Sequence, residues 1–149
     1  VTEVLFYHLE RQPLERVLPT LLEKCLERGW RTVVQAGSEE RRDALDAHLW
    51  TYADDAFLPH GTVRDGPGDL QPIFLTAEED RPNAATVRFL VDRAAPGDLA
   101  GYDRVVYLFD GGDEEARAEA RQHFRQAKAA GHDVTYWKQA ASGRWEKAA

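Results

Sequence analysis

"EVLFYHLERQPLERVLPTLLEKCLERG", residues 3–29, is the stretch whose reading decides the fold. Residues 3–9 are a short, nearly continuous apolar run, the pattern of a strand buried on both faces of a sheet. From residue 13 the period changes. Leu14, Val17, Leu18, Leu21, Leu22, Cys25 and Leu26 recur at helical spacing and Gly29 follows as a C-cap, which predicts a helix over 13–29. Pro19 falls inside that pattern and predicts a kink or a loose first turn.

The same alternation continues outward. "RTVVQAG" (31–37) reads as a second strand, and "SEERRDALDAHLW" (38–50) as a helix capped by Ser38, with Glu39 and Glu40 at its positive end. "RDGPGDLQP" (64–72) is a turn cluster. "PIFLT" (72–76) and "ATVRFLVD" (85–92) read as strands joined by a polar turn around Pro82 and Asn83, followed by a loop over 93–103. "RVVYLFD" (104–110) is another buried strand. The helix over 113–131 starts with acids and ends at Gly131, "HDVTYWKQ" (132–139) is a last strand, and 140–149 is a partly ordered tail anchored by Trp145. The order predicts a single α/β domain over 1–149, an open, mostly parallel sheet with helices on both faces.

Composition narrows the function. The chain of 149 residues carries a formal net charge of −7, which argues against a direct grip on nucleic acid through phosphates. Cys25 is the one cysteine, so there is no disulfide framework and no thiolate metal cluster. No apolar run reaches the roughly 18 residues of a membrane helix and no signal peptide is recognisable, so the expectation is a cytoplasmic protein.

Enzyme chemistry finds little support. A doubly wound sheet binds phosphates at its first strand-to-helix turn. Here that turn is "HLERQP" (8–13), which has no glycine and presents Glu10. No G-x-x-x-x-G-K-[ST] is present, and "DGPGD" follows no strand. Ser38 and Ser142 lie in no nucleophile elbow, and Cys25 sits on an apolar helix face. His8, His48, His60, His123 and His132 show no metal-ligand spacing, so no cofactor or metal is expected. His60, beside Pro59, reads as a hydrogen bonder that holds a turn.

Two surfaces do carry information. "LWTYADDAFLPHG" (49–61) places Trp50, Tyr52, Phe57, Leu58 and Pro59 at a spacing that fits neither helix nor strand, broken by Asp54 and Asp55. Such a cluster either folds back over the core or docks a partner, Trp and Phe being common interface anchors. On the helix over 113–131, Arg117, Arg121, Phe124, Arg125 and Lys128 share one face, and Ala116, Ala120 and Ala127 an adjoining one. The alanines predict close packing on the sheet. Four like charges on one face repel each other, and in so acidic a chain they point to an acidic ligand with an apolar residue.

The chain resembles the chi subunit of the bacterial DNA polymerase III clamp-loader complex. The resemblance runs from about residue 3 to 139, through "FYHL", "LLEKCLERGWR", "LDAHLWTYADDAFLPHG", "RVVYLFD" and "RQHFRQAKAAGHDVTYWKQ"; L-D-x-x-L-W-x(6)-F-L-P-H is its most specific segment. It implies a Rossmann-like sheet without a nucleotide site and a non-catalytic adaptor of the replicative polymerase, touching DNA only indirectly. It also implies two partners: the psi subunit, at Trp50, Phe57, Leu58, Pro59 and His60, and the acidic C-terminal tail of single-stranded DNA-binding protein, at Phe109, Arg117, Arg121, Phe124, Arg125, Lys128 and Gly131. A helicase is a further candidate for the apolar surface. The competing class is a small nucleotide-binding α/β enzyme or a nuclease-like domain.

Overall fold

The computed structural model describes residues 2–53, 57–66 and 68–149. In chain order the elements are β1 (Glu3–Leu9), α1 (Leu14–Glu27), β2 (Thr32–Gln35), α2 (Glu39–Thr51), β3 (Ile73–Thr76), β4 (Val87–Leu90), β5 (Arg104–Asp110), α3 (Glu114–Ala129), β6 (Asp133–Gln139) and β7 (Trp145–Lys147), with short 3-10 turns at Val63–Asp65 and Gly68–Leu70. The seven strands form one sheet in the order β3-β2-β4-β5-β1-β6-β7. All adjacent pairs are parallel except β6 and β7. The expected α/β class and sheet are therefore observed.

Helices cover both faces. Leu18, Leu22 and Cys25 of α1 and Leu45 and Leu49 of α2 pack against Leu9, Val34, Phe89 and Leu108 on one face. On the other, Ala120 and Ala127 of α3 meet Val4, Phe6, Tyr107 and Val134. Ala116 is buried as well. Small side chains let α3 lie close to the strands, as the sequence suggested.

α1 is continuous through Pro19, where a loose turn was expected. Proline has no N–H for the Glu15 carbonyl one turn back. His48 Nε2, from α2, lies 2.7 Å from that carbonyl and donates to it. The helix keeps its shape because a neighbour replaces the missing donor.

The strands β3 and β4 are not neighbours. β2 lies between them, so residues 77–86 make a crossover without a helix. Buried Arg88 holds it. Its Nε and Nη2 donate to Gln35 Oε1 at 3.0 and 2.5 Å, Nη1 donates to the Tyr102 hydroxyl at 2.9 Å and the Asp80 carbonyl at 3.2 Å, and Nη2 donates to the Glu78 carbonyl at 2.7 Å.

Two segments carry pairing that the sequence pattern does not show. Residues 145–147 form β7, antiparallel to β6, and Trp145 stacks edge-on against Tyr7 at 4.8 Å. Gly61 pairs with β3, donating to the Ile73 carbonyl at 3.1 Å and accepting from Leu75 N–H at 2.9 Å.

Candidate functional site

Every strand of the parallel set points its carboxyl end to one side, where α/β proteins usually bind ligands. A crevice of about 670 Å³ opens there beyond β1 and β5. Its lining includes Glu10, Glu15, Asp92, Asp110 and Asp113 against Arg11, Arg41 and Arg93. Arg41 is already engaged by Glu15 and Asp92, each at 3.0 Å. The lining carries five carboxylates against three guanidiniums, and its β1-to-α1 turn has no glycine. Among the described residues, no group of three or more His, Cys, Asp or Glu is arranged to hold a metal ion.

The cationic helix builds a different site. Asp113 caps α3, its Oδ1 accepting from Glu115 N–H at 3.0 Å and Ala116 N–H at 3.2 Å. Gly131 ends it with φ +88°, where His132 N–H reaches back to the Ala127 carbonyl at 3.2 Å. Between these stops, α3 lies beside β1 and β6 and leaves a groove of about 520 Å³. Arg117, Arg121, Arg125 and Lys138 line it, with Phe124, Tyr136 and His8 between them and no Asp or Glu. Phe124 is half-buried, 5.5 Å from the Phe6 ring and 6.2 Å from Tyr136. Arg117 Nε is buried without a hydrogen-bond partner among the described residues. The groove thus offers cations and free donors above an aromatic floor.

Under that floor lies a polar chain. His8 Nδ1 is 2.5 Å from the Tyr136 hydroxyl, and His8 Nε2 is 2.9 Å from Glu10 Oε1. Burial raises the Tyr136 phenol above its ordinary range, Arg121 and Arg117 oppose that, and Glu10 adds to it. The phenol stays protonated near neutral pH.

The apolar loop resolves into an inside and an outside. Trp50 belongs to the last turn of α2, within the helix read over 38–50, and is 49% exposed; Phe57 is 69% exposed, with its ring 6.0 Å from Trp50. Along the extended segment that follows, side chains alternate. Leu58, 1% exposed, joins Leu45, Leu49, Ile73 and Leu75 in the core, Pro59 is half-buried, and His60 is buried. His60 Nδ1 lies 2.6 Å from the Leu58 carbonyl, and Nε2 lies 3.1 Å from the Asp46 carbonyl and 3.2 Å from the Asp46 carboxylate. His60 therefore ties this segment to α2, the turn-holding role read from the sequence. Burial pushes the Asp46 carboxyl above the usual carboxylate range, with the His60 contact opposing and Asp65 and Asp43 reinforcing. Asp54 and Asp55 lie outside the described residues.

The model of the family described as "DNA polymerase III chi subunit, HolC" matches residues 1–135. The chain belongs to the DNA polymerase III chi subunit family. It is similar, 31% identical over 94 residues, to a probable DNA polymerase III subunit chi of Rickettsia prowazekii (strain Madrid E), over 63% of this chain and 55% of that protein. The chain thus spans about half the length of that relative. It is 28% identical over 116 residues to the DNA polymerase III subunit chi of Pseudomonas aeruginosa, over 76% of this chain and 78% of the relative. Among the described residues, no helix of this chi-family chain is long and apolar enough to cross a membrane.

The structure places the expected site residues at different depths. Leu58 and His60 are buried, whereas Trp50, Phe57 and Pro59 reach the surface. Phe109 is buried beneath the groove, edge-on to His8 at 5.1 Å and 5.9 Å from Tyr136. Gly131 ends the helix and is not part of the groove lining, and Lys128 sits over the outer side of Phe124 at 5.4 Å. Arg117, Arg121, Phe124 and Arg125 do come together. Sequence reasoning missed His8, Tyr136 and Lys138. The signal for two of them was the alternation in 132–139, which puts Tyr136 and Lys138 on the face of buried Val134.

Proposed function

We propose that this chi-family chain is a non-catalytic adaptor that joins the clamp loader, through a psi subunit, to the C-terminal tail of single-stranded DNA-binding protein. The basic groove along α3 takes the tail. The exposed Trp50 and Phe57, with half-buried Pro59 beside them, take the psi subunit. One observation carries the reading: in a chain of net charge −7, an aromatic-floored groove is lined by four cationic side chains, with no Asp or Glu among the described lining residues. A tail with acids followed by a terminal apolar residue matches it in charge and in shape.

The energetics suit a transient contact. Burying a Phe-sized side chain against Phe124 contributes roughly 2–3 kcal/mol. A charge-assisted bond from Arg121 or Arg117 to the carboxylate adds about 1.5–3 kcal/mol. Cations on the rim act through solvent and are screened by salt. Set against the cost of ordering the tail, these modest terms suit a weak, readily reversed complex rather than a tight one. Titration of a labelled tail peptide at low and high salt tests this. Arg121→Glu should all but eliminate binding, and Phe124→Ala should weaken it equally at both salt concentrations. Unchanged affinity in Arg121→Glu would place the tail elsewhere.

A further inference from the structure

The chain Glu10–His8–Tyr136 has a definite proton order. An ionised carboxylate only accepts, so His8 Nε2, 2.9 Å from Glu10, carries a hydrogen. In the neutral ring Nδ1 is then bare, and it accepts the Tyr136 hydroxyl proton at 2.5 Å. Tyr136 thereby turns its proton away from the groove and offers an anion only lone pairs. A second proton on the ring reverses this. Nδ1–H then donates to the Tyr136 oxygen, and the phenolic hydrogen is released toward the side where Arg117 and Arg121 lie.

We infer that His8 sets the donor character of Tyr136, so that the groove holds acidic peptide more tightly when the His8 ring is protonated. The inference rests on the reading of the groove as an acidic-peptide site. The geometry around the ring is closely built. A Cβ on Gly111 would lie 2.1 Å from His8 Nε2, so only glycine leaves room for the ring. The Phe109 ring stands edge-on against it. The charged and titratable groups facing it are Glu10 from the end of β1, Tyr136 and Lys138 from β6, and Arg117, Arg121 and Arg125 from α3. Among these, Glu10 is the acid in hydrogen-bond contact with the ring.

The test measures the dissociation constant of a labelled peptide, several aspartates ending in a free-carboxylate phenylalanine, at pH 6 and pH 8. The aspartates stay ionised across this range. The wild-type chain should bind roughly three- to tenfold more tightly at pH 6, the worth of about one added hydrogen bond. In His8→Gln that ratio should fall toward one. In Tyr136→Phe it should shrink but persist, because the ring charge remains when the donor is lost. A full ratio in His8→Gln would overturn the inference and assign the effect to other histidines. No binding by the wild type at either pH would overturn the peptide reading instead. The relay is then decided by NMR at pH 6: sodium sulfate should shift the His8 ring signals in wild type but not in Arg117→Gln/Arg121→Gln, and absence of that difference refutes it.

Discussion

Phe57 and Leu58 are adjacent in sequence yet should behave as opposites when each is cut to alanine. Leu58 is fully buried among Leu45, Leu49, Ile73 and Leu75, on the α1–α2 face of the sheet. Removing its isobutyl end forfeits transfer energy and leaves a cavity, which costs about 2.7–5 kcal/mol for a buried leucine. In a domain of this size each kcal/mol is worth roughly 2–4 °C, so Leu58→Ala should lower the melting temperature by about 6–20 °C. Phe57 is mostly exposed and touches only Trp50 among the aromatic rings described. Phe57→Ala should therefore leave stability within about 0.5 kcal/mol. If the apolar face is the psi contact, the same substitution should weaken binding by about 2–4 kcal/mol. Thermal and urea unfolding measure the first pair of effects, and calorimetric titration with purified psi subunit measures the second. Equal destabilisation by the two substitutions would refute the inside-outside division. A stable Phe57→Ala that still binds psi at full affinity would refute the contact.

Two further outcomes follow from buried groups. Arg88→Met strips the helix-free crossover of five hydrogen bonds and leaves Gln35 Oε1 and the Tyr102 hydroxyl without that donor, so urea unfolding should show a loss of about 3–5 kcal/mol. Tyr107 is pushed up to about 12, first by burial and then by the Glu119 charge, with Arg93 opposing. A phenol whose folded value is raised contributes stability that is complete below about pH 10 and lost as pH rises from there through 12, up to about 2–3 kcal/mol. Tyr107→Phe should flatten the fall in stability between pH 9.5 and 11.5 measured by urea unfolding, and an unchanged fall would put the alkaline sensitivity elsewhere.

The regular elements were legible because their patterns are local. The run 3–9, the leucine spacing of α1 and the acid-to-glycine polarity of α3 each depend on neighbours along the chain. What depended on distant partners was not legible. The place of Leu58 needed the register of 57–61 against β3. His48 could be seen as a histidine but not as the replacement for the N–H that Pro19 lacks. β7 was hidden because three residues with one tryptophan carry no period, and only pairing with β6 orders them. The cationic half of the groove was readable from one helix. Its other wall was not, since His8, Tyr136 and Lys138 come from two strands far apart in sequence that parallel pairing makes adjacent.

The pairing of Gly61 with β3 has a consequence for how the apolar face can be used. β3 ends the strand order, so its outward N–H and C=O groups are a template for foreign strands. The segment carrying Phe57 and Pro59 runs directly into the residue that occupies that template. A partner that peeled this segment away would bare a sticky edge and invite self-association. Docking on the segment where it lies keeps the edge sealed, so recruitment and colloidal solubility draw on the same few backbone bonds. A Cβ at Gly61 would lie within 2.7 Å of the amide end of the Gln71 side chain, so Gly61→Val keeps the seal only if that amide swings aside.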